Sequence, residues 1–70
     1  MEHNMEIDLN GKAHPITAPC SVQDLIASFG LQDKGLAVAI NRNIVPHHQW
    51  HQHFLQPHDR VEIVHAIGGG

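Results

Sequence analysis

Seventy residues hold one domain and one core, and a chain of this size buries only about 60% of the surface it exposes when unfolded, which leaves no room for a separate catalytic domain. Hydrophobic residues at 41% against 16% charged exclude a disordered tail, and a net charge of −3 with scattered bases (Lys12, Lys34, Arg42, Arg60) excludes nucleic acid and anionic membranes as partners. The lone Cys20 forms no internal disulfide, Met1-Glu2-His3-Asn4-Met5 lacks the stretches of a signal peptide, and no apolar run approaches the roughly 20 residues of a bilayer span; a cytoplasmic protein is expected.

In chain order, Met5-Glu6-Ile7-Asp8-Leu9 alternates apolar and acidic residues, which predicts a strand with Met5, Ile7 and Leu9 on one face. Asn10-Gly11 supplies the positive φ angles of a tight hairpin, so Lys12 to Thr17 returns antiparallel, and Pro15, unable to donate to a ladder, places this second strand at a sheet edge. Ser21 then precedes Val22, Leu25, Ile26 and Phe29 at helical spacing. Asp24 stands where a capping-box partner belongs and Gly30 where a left-handed C′ residue belongs.

Leu36-Ala37-Val38-Ala39-Ile40 carries large residues on one parity and alanines on the other, a strand packed on the helix by Leu36, Val38 and Ile40. Asn41-Arg42-Asn43 reads as a turn, Ile44-Val45 as a short strand, and Pro46 as the start of a turn or short helical segment running to Trp50; Phe54-Leu55 is a candidate for burial. Arg60-Val61-Glu62-Ile63-Val64-His65 is a β-branched strand, followed by Ala66-Ile67 and three glycines. The order predicts an α+β fold in which one main helix covers one face of a mixed four- to five-stranded sheet, with the last strand parallel to the first in the centre. That is the β-grasp arrangement, with the domain over residues 1–67 and a flexible glycine tail over 68–70.

Gly68-Gly69-Gly70 has no side chains and reaches about 10 Å when extended, enough to thread a carboxylate into a narrow site. A carboxylate is a poor electrophile until adenylation by ATP turns one oxygen into part of a leaving group, after which a sulfur nucleophile yields a thiocarboxylate. This chemistry needs no catalytic residue on the carrier. The nucleotide site must come from a partner, since the domain holds no phosphate-binding glycine loop.

From about Met5 to Gly70 the sequence resembles the ThiS family, the bacterial sulfur carriers of thiamine thiazole biosynthesis. The resemblance is carried by Ala39-Ile40-Asn41, Ile44-Val45-Pro46 with Trp50, Asp59 leading into Val61-Glu62-Ile63-Val64, and the terminal glycines. It implies a ubiquitin-like carrier with no bound cofactor. Gly70 would be adenylated by an E1-like enzyme that uses ATP and thiocarboxylated with sulfur from a cysteine desulfurase or relay protein; the sulfur would then pass to thiazole synthase. His58 departs from the family, which often has Gly before Asp59, and Gly68 extends the usual glycine pair.

Other readings stand beside this one. The same tail chemistry suits a molybdopterin-synthase small subunit, another sulfur carrier, or a ubiquitin-like modifier that forms isopeptide bonds. His47, His48, His51 and His53 lie within seven residues, and His47 and His51 would share a face if helical: either a metal-binding module or a solvated surface. Cys20 precedes the helix, where the dipole would lower its pKa, or it is a small apolar filler. Trp50 closes the core or anchors a partner. Ala37, Ala39, Glu62 and Val64 should lie on the sheet face away from the helix, with Ala66 at its margin: a docking surface or an ordinary sheet face. Glu6 and Asp8 add negative charge there, which predicts a basic complementary patch.

Overall fold

The structure, a computed structural model, describes residues 3–30 and 35–65. Two adjacent strands come first, β1 (His3–Leu9) and β2 (Lys12–Ala18), followed by helix α1 (Val22–Ser28). Strands β3 (Leu36–Ile40) and β4 (Asn43–Ile44), a 3₁₀ turn (His47–Gln49) and β5 (Arg60–His65) complete the described elements. They form a five-stranded sheet in the order β2-β1-β5-β3-β4, with β1 and β5 parallel and the other neighbours antiparallel. This is the expected α+β β-grasp.

Local chemistry accounts for the joints. Asn10 and Gly11 both have positive φ (50° and 87°), the hairpin geometry whose twist matches the flanking strands, and the Asp8 carboxylate accepts from the Gly11 N–H at 2.8 Å. A second turn with the same sign of φ, Asn41 (51°) and Arg42 (72°), joins β3 to β4. Pro15 sits opposite Glu6 on the edge strand β2. At the start of α1 the Asp24 N–H donates to the Ser21 hydroxyl (3.0 Å) and the Ser21 N–H donates to the Asp24 carboxylate (3.1 Å), so two amides with no intrahelical partner are satisfied reciprocally. Gly30 takes the left-handed conformation at φ 68°.

The core lies between α1 and one sheet face: Ile7, Val38, Ile40 and Val61 from the strands meet Val22, Leu25 and Ile26 from the helix, closed at the side by Val45, Trp50 and Leu55. Trp50 is 1% exposed, and its indole N–H donates to the Val45 carbonyl at 2.9 Å, so the largest buried side chain keeps its polar atom paired. Burial decides the reading of Trp50: it closes the core and offers no surface to a partner.

Two apolar expectations fail. Phe29 continues the helical period but is 39% exposed, because α1 ends at Ser28; its ring instead meets His14 of β2, centroids 5.3 Å apart. Phe54 is 49% exposed. Its segment runs antiparallel to Ser21, with the Val22 N–H donating to the His53 carbonyl and the Leu55 N–H to the Cys20 carbonyl, both at 2.9 Å. Extended backbone alternates its side chains, so Leu55 turns into the core and Phe54 turns out.

Candidate functional site

Strand β5 is the spine of the site. It lies between β1 and β3, and Val61 in its first turn of pleat is fully buried, so the segment leading toward the C-terminus stands on the most constrained part of the sheet. His65 is the last described residue. Ala66 and the arm Gly68, Gly69 and Gly70, with the attachment point at Gly70 and the boundary between 67 and 68, lie outside the described residues.

Register places the expected docking residues together. Ala37 pairs with Val64 and Ala39 with Glu62, and Ile44 of β4 pairs with Ala39, so these five share the face away from α1. Val64 is 58% exposed and Ile44 69%. Ile44 was not among the residues that sequence parity picked out; it reads as one residue of a two-residue strand, and only pairing with Ala39 fixes its side. The result is a low apolar surface of two alanines flanked by Ile44 and Val64, beside the end of β5. Asp8 pairs with Arg60 on the same face, and Glu6 and Glu62 add two further acids, so acidic groups outnumber basic ones there.

A hydrogen-bonded corner sets the start of β5. The Asn41 Nδ2 donates to the Asp59 carboxylate (3.0 Å) while the Arg60 N–H donates to the Asn41 side-chain carbonyl (3.0 Å), and Asp59 also accepts from the Gln56 N–H (2.8 Å). His58, where the family often carries Gly, adopts φ 68°, the left-handed region that favours glycine, and its N–H donates to the Glu6 carbonyl at 2.7 Å. The turn geometry is thus kept without the glycine.

Cys20 is half-buried against the core, and burial, reinforced by the neighbouring Asp24 carboxylate, pushes its thiol up from the usual 9.0. The direction is opposite to the lowering expected from the helix dipole, because burial and the Asp24 carboxylate both disfavour the thiolate. A half-buried thiol packed against the core and held toward its neutral form fits the filler reading. Among the described residues no three His, Cys, Asp or Glu side chains gather to hold a metal ion. The histidine segment forms one 3₁₀ turn at His47–Gln49 rather than an α-helix, and the His47 ring lies edge-on to Trp50 at 4.7 Å. Among the described residues no helix is long and apolar enough to cross a membrane.

Among the described residues a five-stranded sheet packs on one α-helix with its last strand parallel to the first, which defines a β-grasp domain of the ubiquitin-like class. A crystal structure of the thiamine biosynthesis protein ThiS from Geobacter metallireducens has the same fold, with a TM-score of 0.82 at 22% identity over 94% of this chain and all of that one. The ThiS family model matches residues 7–70. The sulfur carrier protein ThiS of Escherichia coli is 36% identical over 66 residues, 94% of this chain and 100% of that protein. A thiazole synthase of Magnetococcus marinus is 35% identical over 66 residues, which cover 94% of this chain but 20% of that protein. The chain belongs to the ThiS family, small sulfur carrier proteins rather than enzymes.

Proposed function

We propose that this protein carries sulfur for thiamine biosynthesis as a thiocarboxylate on Gly70. The observation that carries the reading is the end-to-end similarity to a named sulfur carrier, 36% identity over the whole of that protein, in a chain whose central strand leads into Gly68-Gly69-Gly70. An E1-like partner transfers AMP from ATP to the Gly70 carboxylate and releases pyrophosphate. A persulfide on a relay protein or cysteine desulfurase then displaces AMP to form an acyl disulfide, and a second thiol attacks the partner's sulfur, breaking the S–S bond to release the thiocarboxylate and leaving a disulfide on the donor side. No cofactor is needed on the carrier itself, because the nucleotide binds to the partner. The cytoplasm, where ATP is available and a free thiol such as Cys20 stays reduced, is the setting this chemistry requires.

Thiazole synthase is the acceptor. A segment similar to this chain occupies about a fifth of a polypeptide named thiazole synthase, so carrier and synthase are joined covalently in that relative, which supports their meeting as separate chains here. The surface offered to both partners is the alanine face, Ala37, Ala39, Glu62 and Val64 with Ile44. Small side chains let a partner approach closely, and the acids Glu6, Asp8 and Glu62 favour a basic counterpart.

Intact-mass analysis after incubation with ATP, the adenylating enzyme and a sulfur donor tests the reading. The expected product is heavier by the exchange of one oxygen for sulfur and does not form when Gly70 is deleted. Restoration of molybdopterin but not of thiazole formation in a deficient bacterium would reassign the chain.

A further inference from the structure

The two sides of β5 are held differently. On the β3 side its residues are paired from Ile40↔Val61 to Leu36↔His65, whereas on the β1 side the parallel pairing stops at Leu9↔Val61, because the chain turns back at Asn10-Gly11. The Asn10 N–H donates to the Val61 carbonyl at 2.9 Å, as the next residue of a continuing parallel strand would. Its side chain then takes over. Oδ1 accepts from the Ile63 N–H at 3.0 Å and Nδ2 donates to the Ile63 carbonyl at 3.3 Å. A primary amide presents one acceptor and one donor, the two groups that a longer β1 would have aimed at Ile63. The turn residue therefore stands in for the strand that is missing.

We infer that Asn10 is a positioning residue whose side-chain amide extends the β1 edge to Ile63 and so fixes the direction in which β5 delivers the C-terminal arm to partner enzymes; the delivery half of this inference rests on the carrier reading above. Asn10 touches no reacting atom. Its side chain fixes β5 up to two residues before the last described position, His65. With β5 held on both sides as far as Ile63, the arm starts from a set origin and orientation, and a set starting geometry reduces the entropy lost on entering a narrow site.

Two variants separate positioning from folding. Asn10→Gly keeps the turn, since glycine adopts positive φ without cost, and removes both side-chain bonds; Asn10→Asp keeps an acceptor for the Ile63 N–H but loses the donor. Amide exchange at Ile63 should become about 5- to 10-fold faster in N10G, the size expected for loss of a net hydrogen bond, with Val38 and Val61 unchanged and N10D intermediate. In steady-state adenylation of the full chain by its E1-like enzyme with ATP, kcat should fall about 3- to 10-fold in N10G while KM, set by the docking face, stays within about twofold. Unchanged Ile63 exchange in N10G overturns the inference, and so does faster exchange with wild-type kcat. A wild-type chain that the enzyme does not adenylate counts against the carrier reading instead, and exchange at Ile63 then decides alone whether Asn10 positions β5.

Discussion

Asn41 and Asp59 clasp each other across the corner where the β3–β4 hairpin meets the loop that feeds β5: the Asn41 amide donates to one carboxylate oxygen at 3.0 Å, and the other oxygen accepts from the Gln56 N–H at 2.8 Å. One acid thus ties two loops to the strand that carries the C-terminal arm. Both loops meet β5 at its first residue, since the Arg60 N–H donates to the Asn41 side-chain carbonyl.

Asp59→Ala removes the acceptor of two hydrogen bonds and leaves the Asn41 amide to solvent. Because the corner is largely exposed, water replaces part of what is lost, and the expected destabilisation is about 1 to 2 kcal/mol by urea unfolding. A change below about 0.3 kcal/mol would show that the clasp adds nothing to the fold.

His58 sits at φ 68°, where a side chain is strained and glycine is not. His58→Gly should therefore raise stability by up to about 1 kcal/mol, the relieved left-handed strain less the added entropy of the unfolded glycine. A loss of stability instead would mean that the imidazole itself holds the turn.

Trp50→Phe keeps an aromatic ring in the core but leaves the Val45 carbonyl without its donor and opens a void. The expected cost is about 2 to 3 kcal/mol, and Trp50→Ala, at about 3 to 5 kcal/mol, should leave so small a domain largely unfolded by far-ultraviolet circular dichroism. A folded Trp50→Ala protein with native dichroism would contradict the core role.

Cys20 has a folded pKa above the usual 9.0, first through burial and then through Asp24. The raised value favours the neutral thiol, so its contribution to stability is complete below pH 9.0 and is lost as pH rises through the folded pKa. Unfolding measured from pH 8 to 11 should show an alkaline decline that Cys20→Ala flattens, and alkylation of the native thiol at pH 8 should be slower than in the unfolded chain. Identical declines in both proteins would remove Cys20 from the account.

Ala39 lies at the centre of the proposed docking face, between Ile44 and Glu62. Ala39→Arg adds bulk and the wrong charge against a basic partner, so binding to the adenylating enzyme, measured by calorimetry, should weaken at least about 10-fold while the unfolding midpoint moves little. Equal affinity would place the interface elsewhere.

Much of this molecule is written locally. Asn10-Gly11 dictates its turn through positive φ, Ser21 and Asp24 their capping box, Val38 and Ile40 of β3 with Val61 and Ile63 of β5 their inward parity, and Pro15 the edge position of β2, because each depends on residues a few positions apart. What folding alone decided depends on residues far apart in the chain. Ile44 joins the alanine face only through its pairing with Ala39, Phe54 is turned outward by its bridge to Ser21, and burial with the neighbouring Asp24 carboxylate pushes the Cys20 thiol up. The Asn10 amide reaches Ile63 across 53 positions, a contact no periodicity encodes, because it exists only once a parallel strand has been laid beside the hairpin.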